Sequence, residues 1–152
     1  MAASISALWS NLALWLPISA ALGVQFYKYL WEWRHTGAPD VQVLFRTGGM
    51  PSSHSAMVTS LATVLAVQHG LGSPLFAVAV IAALVVMYDA RGVRHQSGQH
   101  ARILNQILRE LFSGQPISEQ ELKELLGHTP TEVIVGSIVG ISYSLLILYL
   151  VG

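Results

Sequence analysis

The run Thr131–Val151, TEVIVGSIVGISYSLLILYLV, carries a single charge, Glu132 at its start, and is otherwise uncharged and mostly aliphatic. A helix of this kind reaches across roughly 30 Å of hydrocarbon, because about 20 apolar residues suffice at a rise of 1.5 Å each. Gly136 and Gly140 stand four apart in it, a small-xxx-small spacing that lets a second helix approach closely. The rest of the chain reads outward from this span.

The whole sequence repeats the bias. Of 152 residues, 53% are hydrophobic and 11% charged, whereas a soluble domain carries about a quarter charged. The formal net charge is zero and no Lys/Arg run occurs, so the electrostatic footprint of a nucleic-acid binder is missing and no nucleic-acid partner is expected. There is no cysteine, which excludes disulfides and thiolate metal sites. The N-terminal stretch lacks the basic start and small-residue cleavage site of a secretory signal, and it is kept as structure.

A first span is expected over residues 9–31, almost uncharged until Lys28, with Trp9, Trp15, Trp31 and Trp33 where aromatic belts sit. Pro17 interrupts it and implies either a kink or two half-helices. Residues 54–69 and 74–89 read as a helical hairpin turned by Gly70, Leu71, Gly72 and Ser73. Each arm holds only about 15 to 17 apolar residues, the lower edge of a crossing length. With residues 131–151 these make four spans in a single all-α membrane domain covering 1–152.

Residues 91–127 form a polar insert outside the hydrocarbon. In it Ile103, Leu104, Ile107, Leu108 and Leu111 recur at helical spacing, an amphipathic helix suited to lying on the bilayer or covering a site. Ser118 and Glu121 form a capping box that opens a second short helix. Four crossings place both termini on one side and the segments 32–53 and 89–130 on the other. All eight basic residues and all eight carboxylates fall in or next to those two segments. By the positive-inside rule this charged face is cytoplasmic.

Three landmarks meet at the charged face: GGMPSSHS (48–55), YDARGVR (88–94) and GHTPTEV (127–133). His54 follows Pro51, Ser52 and Ser53, a proline and serine arrangement suited to a helix start whose free N–H groups attract an anion. His128 repeats the arrangement, with Glu132 one helical turn further on. Two readings stand for that pair. Either the carboxylate orients the imidazole as a base, or Glu132 is a first-turn acid favoured by the helix dipole beside a surface histidine. Asp89 ends an otherwise apolar helix, where an acid is costly unless paired. A salt bridge to Arg91, Arg94 or Lys28 is expected of it.

The PSSH and HTPTEV elements resemble the signature of the type 2 phosphatidic acid phosphatase superfamily, which includes the vanadium haloperoxidases. Most of the chain is similar to its small divergent membrane branch. The resemblance implies His54 as general acid, Ser52 and Ser53 as phosphate-contacting positions, His128 as the nucleophile that becomes phosphorylated, and Glu132 in the place of the family's aspartate. Ser53 stands where the family has glycine, and Leu122 where it has an arginine six residues before the nucleophile. The family's basic element is not reproduced by Lys28 and Arg34. Arg46, Arg91 and Arg94 are therefore the candidate phosphate clamp, since guanidinium groups bind phosphate oxygens bidentately.

These readings give an expected function: a lipid phosphate phosphatase that acts through a phosphohistidine and uses no metal or other cofactor. Phosphatidylglycerophosphate or phosphatidate is the favoured phospholipid. Two alternatives are a scaffold or lipid-binding protein that keeps the frame without catalysis, and a metal-dependent hydrolase using His54, His128, Asp89 and Glu132 as ligands. A homodimer is expected to form through the Gly136 and Gly140 face.

Overall fold

A computed structural model of the chain describes residues 2–45, 48–91, 103–107, 111 and 129–151. Among these residues every regular element is helical. A short helix α1 (Ala2–Trp9) precedes the long α2 (Leu12–Thr36), and a 3-10 turn follows at Val41–Leu44. The helices α3 (Ser53–His69), α4 (Pro74–Arg91) and α5 (Pro130–Val151) complete the described fold.

The local causes of these boundaries are visible in the caps. Asn11 accepts a hydrogen bond from the Leu14 amide and starts α2, so this helix begins at Leu12 and not at the Trp9 expected from the tryptophan belt. Trp9 instead ends α1 and stacks on Trp15 with ring centroids 5.3 Å apart, while Trp15 donates Nε1–H to the Leu8 carbonyl at 3.0 Å. Helix α2 runs unbroken through Pro17 and stops at Gly37, whose φ of 73° only glycine adopts freely. Ser73 accepts from the Phe76 amide at 3.1 Å, and the Gly70–Ser73 turn makes the expected hairpin of α3 and α4.

Helix α3 packs against α2, α4 and α5 and is the centre of the bundle. Its buried face is Ser53, Ser55, Ala56, Thr59, Ser60 and Val64, small or hydroxylated side chains that permit close approach. Helix α5 meets that face with Gly136, Gly140 and Ser144. A Cβ on Gly136 would collide with the Ser52 carbonyl, and one on Gly140 with the Ala56 carbonyl and the Thr59 hydroxyl. The glycine pair is thus spent on α3 of the same chain. This removes the ground on which a homodimer was expected, because a face filled by α3 is closed to a second copy.

Hydroxyl groups tie the close helices together. Thr59 Oγ1 donates to the Ser55 carbonyl at 2.7 Å and to the Ser137 carbonyl at 3.2 Å. Ser60 and Ser144 share a hydrogen bond of 2.6 Å at full burial. Ser137 reaches Met87 Sδ on α4 at 3.2 Å, and Ser19 on α2 bonds Tyr143 on α5 at 2.9 Å. In membrane bundles a bond of this kind contributes on the order of 0.6 kcal/mol. The pairings Ser52 with Gly136, Ala56 with Gly140 and Ser60 with Ser144 make α3 and α5 parallel.

Helix α5 is long and apolar enough to cross a membrane, with a mean hydropathy of 2.2, and only 17% of its most apolar stretch is buried. That exposure separates it from the core helix of a soluble protein. Helix α4 is a shorter apolar helix over Pro74–Asp89. Ile81, Val85, Ile138 and Leu146 all face outward. Residues 103–107 are helical as expected, with Ile103, Leu104 and Ile107 exposed and Asn105 buried, whereas Ser118 and Glu121 lie outside the described residues.

Candidate functional site

The start of α3 is built by Met50 to Ser55. Pro51 follows a cis peptide bond, and Ser52 caps the helix by accepting from the Ser55 amide at 3.3 Å. The Ser52 N–H donates to the Glu132 carbonyl at 3.0 Å, and the Ser52 carbonyl accepts from the Ala56 amide at 3.1 Å. Its backbone N–H and carbonyl are therefore both engaged, its hydroxyl oxygen serves the cap, and its side chain is fully buried. Ser53 is nearly buried as well, and His54 is half-buried in the first turn.

The start of α5 lies beside it. Thr129 and Glu132 form a reciprocal capping box: the Thr129 amide donates to the Glu132 carboxylate, and the Glu132 amide to the Thr129 hydroxyl, both at 3.3 Å. This role was legible as Thr-x-x-Glu, yet the overlapping His-x-x-x-Glu spacing drew the reading to His128. Because α3 and α5 are parallel, two positive helix ends converge at one end of the bundle.

A cation faces them. Lys28 on α2 is half-buried, donates from Nζ to the Gly48 carbonyl at 2.8 Å, and is attracted by the Glu132 carboxylate. The φ values of Gly48 and Gly49, 107° and 75°, shape the loop that carries this carbonyl to it. Nothing in the sequence paired Lys28 with Gly48, since the contact depends on how that loop folds back over α2.

The structure therefore brings Lys28, Ser52, Ser53, His54 and Glu132 to one end of the bundle. Asp89 is exposed near the end of α4, two residues beyond Met87, which touches Ser137. Arg91 ends α4. Arg46, Arg94 and His128 lie outside the described residues.

A groove of about 430 Å³ opens beside the site, between α2 and α5. Met50 and Pro51 border it, so it adjoins the loop that leads into His54.

No solved structure matches the chain. The Uncharacterized membrane protein YuiD of Bacillus subtilis (strain 168) is 37% identical over 153 residues, covering 93% of this chain and 97% of that protein. The profile of the divergent PAP2 family matches residues 9–143, from the end of α1 into the last helix. That match, over most of the chain, makes the assignment: the chain belongs to the divergent PAP2 family.

Proposed function

We propose that this chain is a multi-pass membrane phosphatase that hydrolyses a lipid phosphomonoester at the cytoplasmic face. The observation that carries the reading is the hydrogen bond from the Ser52 N–H to the Glu132 carbonyl. It sets two helix starts side by side with Lys28 opposite, an arrangement that favours a phosphate. Ser52 is consumed by the fold, so the backbone contact at this turn falls to the Ser53 amide.

In the proposed reaction neutral His128 attacks phosphorus and forms a phosphohistidine. His54 gives its proton to the departing alkoxide, and water then cleaves the phosphorus–nitrogen bond to release phosphate and regenerate the imidazole. Lys28 and the arginines Arg46, Arg91 and Arg94 neutralise the equatorial oxygens, with Asp89 positioning them. Phosphatidylglycerophosphate and phosphatidate are the favoured substrates, because both are made on the cytoplasmic side to which the charged face is assigned.

Phosphate release from each lipid by purified protein tests this. Activity is expected to persist in EDTA, to be blocked by vanadate, and to fall by about 10²-fold or more in His128→Ala and in His54→Ala. Unchanged turnover in His128→Ala overturns the nucleophile. The capping box favours a second reading, in which Glu132 only starts α5 and the chain binds lipid without cleaving it. That protein would be indifferent to vanadate.

A further inference from the structure

We propose that the groove between α2 and α5 seats one acyl chain of the lipid whose phosphate reaches the first turn of α3, a subsite that rests on the phosphatase reading above. The helices are antiparallel along this groove. Ser19 faces Tyr143 at its inner end, while Tyr27 and Val135 stand at the other. Eight residues separate the two ends on each helix, which makes the groove about 12 Å long. It is a chain-sized volume within the range of ligand pockets.

Its wall is suited to hydrocarbon. Ala20, Gly23, Val24 and Val139 are apolar or small, and the Ser19 and Tyr143 hydroxyls are occupied with each other at 2.9 Å. A Cβ at Gly23 would find nothing within 4 Å, so the absent side chain leaves real space. An empty groove forfeits dispersion contacts on both walls, and a chain laid in it restores them. The groove is bounded by Met50 and Pro51 at one end and by the hydroxyl pair at the other. A length of about 12 Å falls well short of the roughly 30 Å over which a crossing helix of a second copy would pack.

What makes this a substrate subsite is its mouth. Pro51 lines it and is followed directly by Ser52, Ser53 and His54. Lys28 does not line the groove, but its half-buried ammonium is bonded to the Gly48 carbonyl two residues before Met50, which sets a positive charge beside the mouth. A lipid held there by its phosphate must send its glycerol past Pro51, and the nearest apolar path is the groove. A neutral lipid has no such tether, and phosphatidylcholine offers only a singly charged phosphodiester capped by its choline.

The test uses the full chain carrying His128→Ala, so that phosphatidate is not consumed, in vesicles with a mid-chain diazirine on one acyl chain, carried in parallel by phosphatidate and by phosphatidylcholine. Phosphatidate is expected to label Gly23, Val24 and Val139 more strongly than phosphatidylcholine does. In Gly23→Leu, and in Val139→Phe should the first variant lose its thermal transition, the phosphatidate labelling is expected to drop to the level found on the outward residues Val78 and Val85 of α4. Equal labelling by both lipids, or labelling unchanged in the filled variants, overturns the proposal. The readout needs no turnover: selective labelling without phosphate release from any lipid by the unsubstituted chain would sink the phosphatase reading and leave the subsite standing.

Discussion

Ser60 and Ser144 share one short hydrogen bond at full burial, but deleting them is expected to have unequal effects. Ser144 also donates to the Gly140 carbonyl at 2.9 Å, so Ser60→Ala leaves it a partner. Ser144→Ala strands the Ser60 hydroxyl in a fully buried position. Thermal unfolding in detergent is expected to show a loss of about 0.6 kcal/mol for Ser60→Ala and one nearer about 1.7 kcal/mol for Ser144→Ala. Gly140→Ala is expected to cost more than either, roughly 2 to 3 kcal/mol, because the added methyl meets the Ala56 backbone and cannot be absorbed by a rotamer change. Glu132 separates two roles through one substitution. Glu132→Gln keeps a side chain able to complete the capping box, so the melting temperature is expected to hold. The lost charge no longer attracts Lys28 or orients an imidazole, and kcat is expected to fall. Glu132→Ala is expected to lose about 1 kcal/mol of stability besides.

At the scale of the helix, the hairpin of α3 and α4 was legible because His69, Gly70, Leu71, Gly72 and Ser73 interrupt an apolar pattern cleanly. The last helix was legible from hydropathy alone. Helix α2 was not, at either end. Lys28, Glu32 and Arg34 read as chain leaving the hydrocarbon, yet charge does not stop a helix, and α2 continues to Thr36 until Gly37 caps it. Its start was hidden because Asn11, a single capping residue, outweighs the tryptophan pattern around it. The Gly136 and Gly140 spacing announced a tight contact but not its partner, since small residues admit any helix that fits. At the site, the converging helix starts were legible from PSSH and HTPTEV. The Lys28 to Gly48 bond and the groove at Gly23 were not, because both depend on how α2 crosses elements far from it in sequence.

For the whole molecule, the proposed four crossings make a prediction that the absence of cysteine renders clean. A single cysteine introduced as Gly72→Cys, in the exposed turn between α3 and α4, is expected to react with an impermeant maleimide in intact cells. Ala38→Cys, in the exposed segment after α2, is expected to react only after permeabilisation. Reaction of both in intact cells would undo the proposed sidedness. The composition of α3 bears on how such a molecule is made. Its inner face carries Ser53, Ser55, Thr59 and Ser60; Thr59 bonds its own turn and α5, Ser60 bonds Ser144 on α5, and the Ser55 hydroxyl is buried with no hydrogen-bond partner among the described residues. In the proposed four-crossing arrangement α3 is a helix whose buried hydroxyls look to a partner for their bonds. On that arrangement the seam between α3 and α5 closes only after α4 has been made, because α5 follows both in the chain.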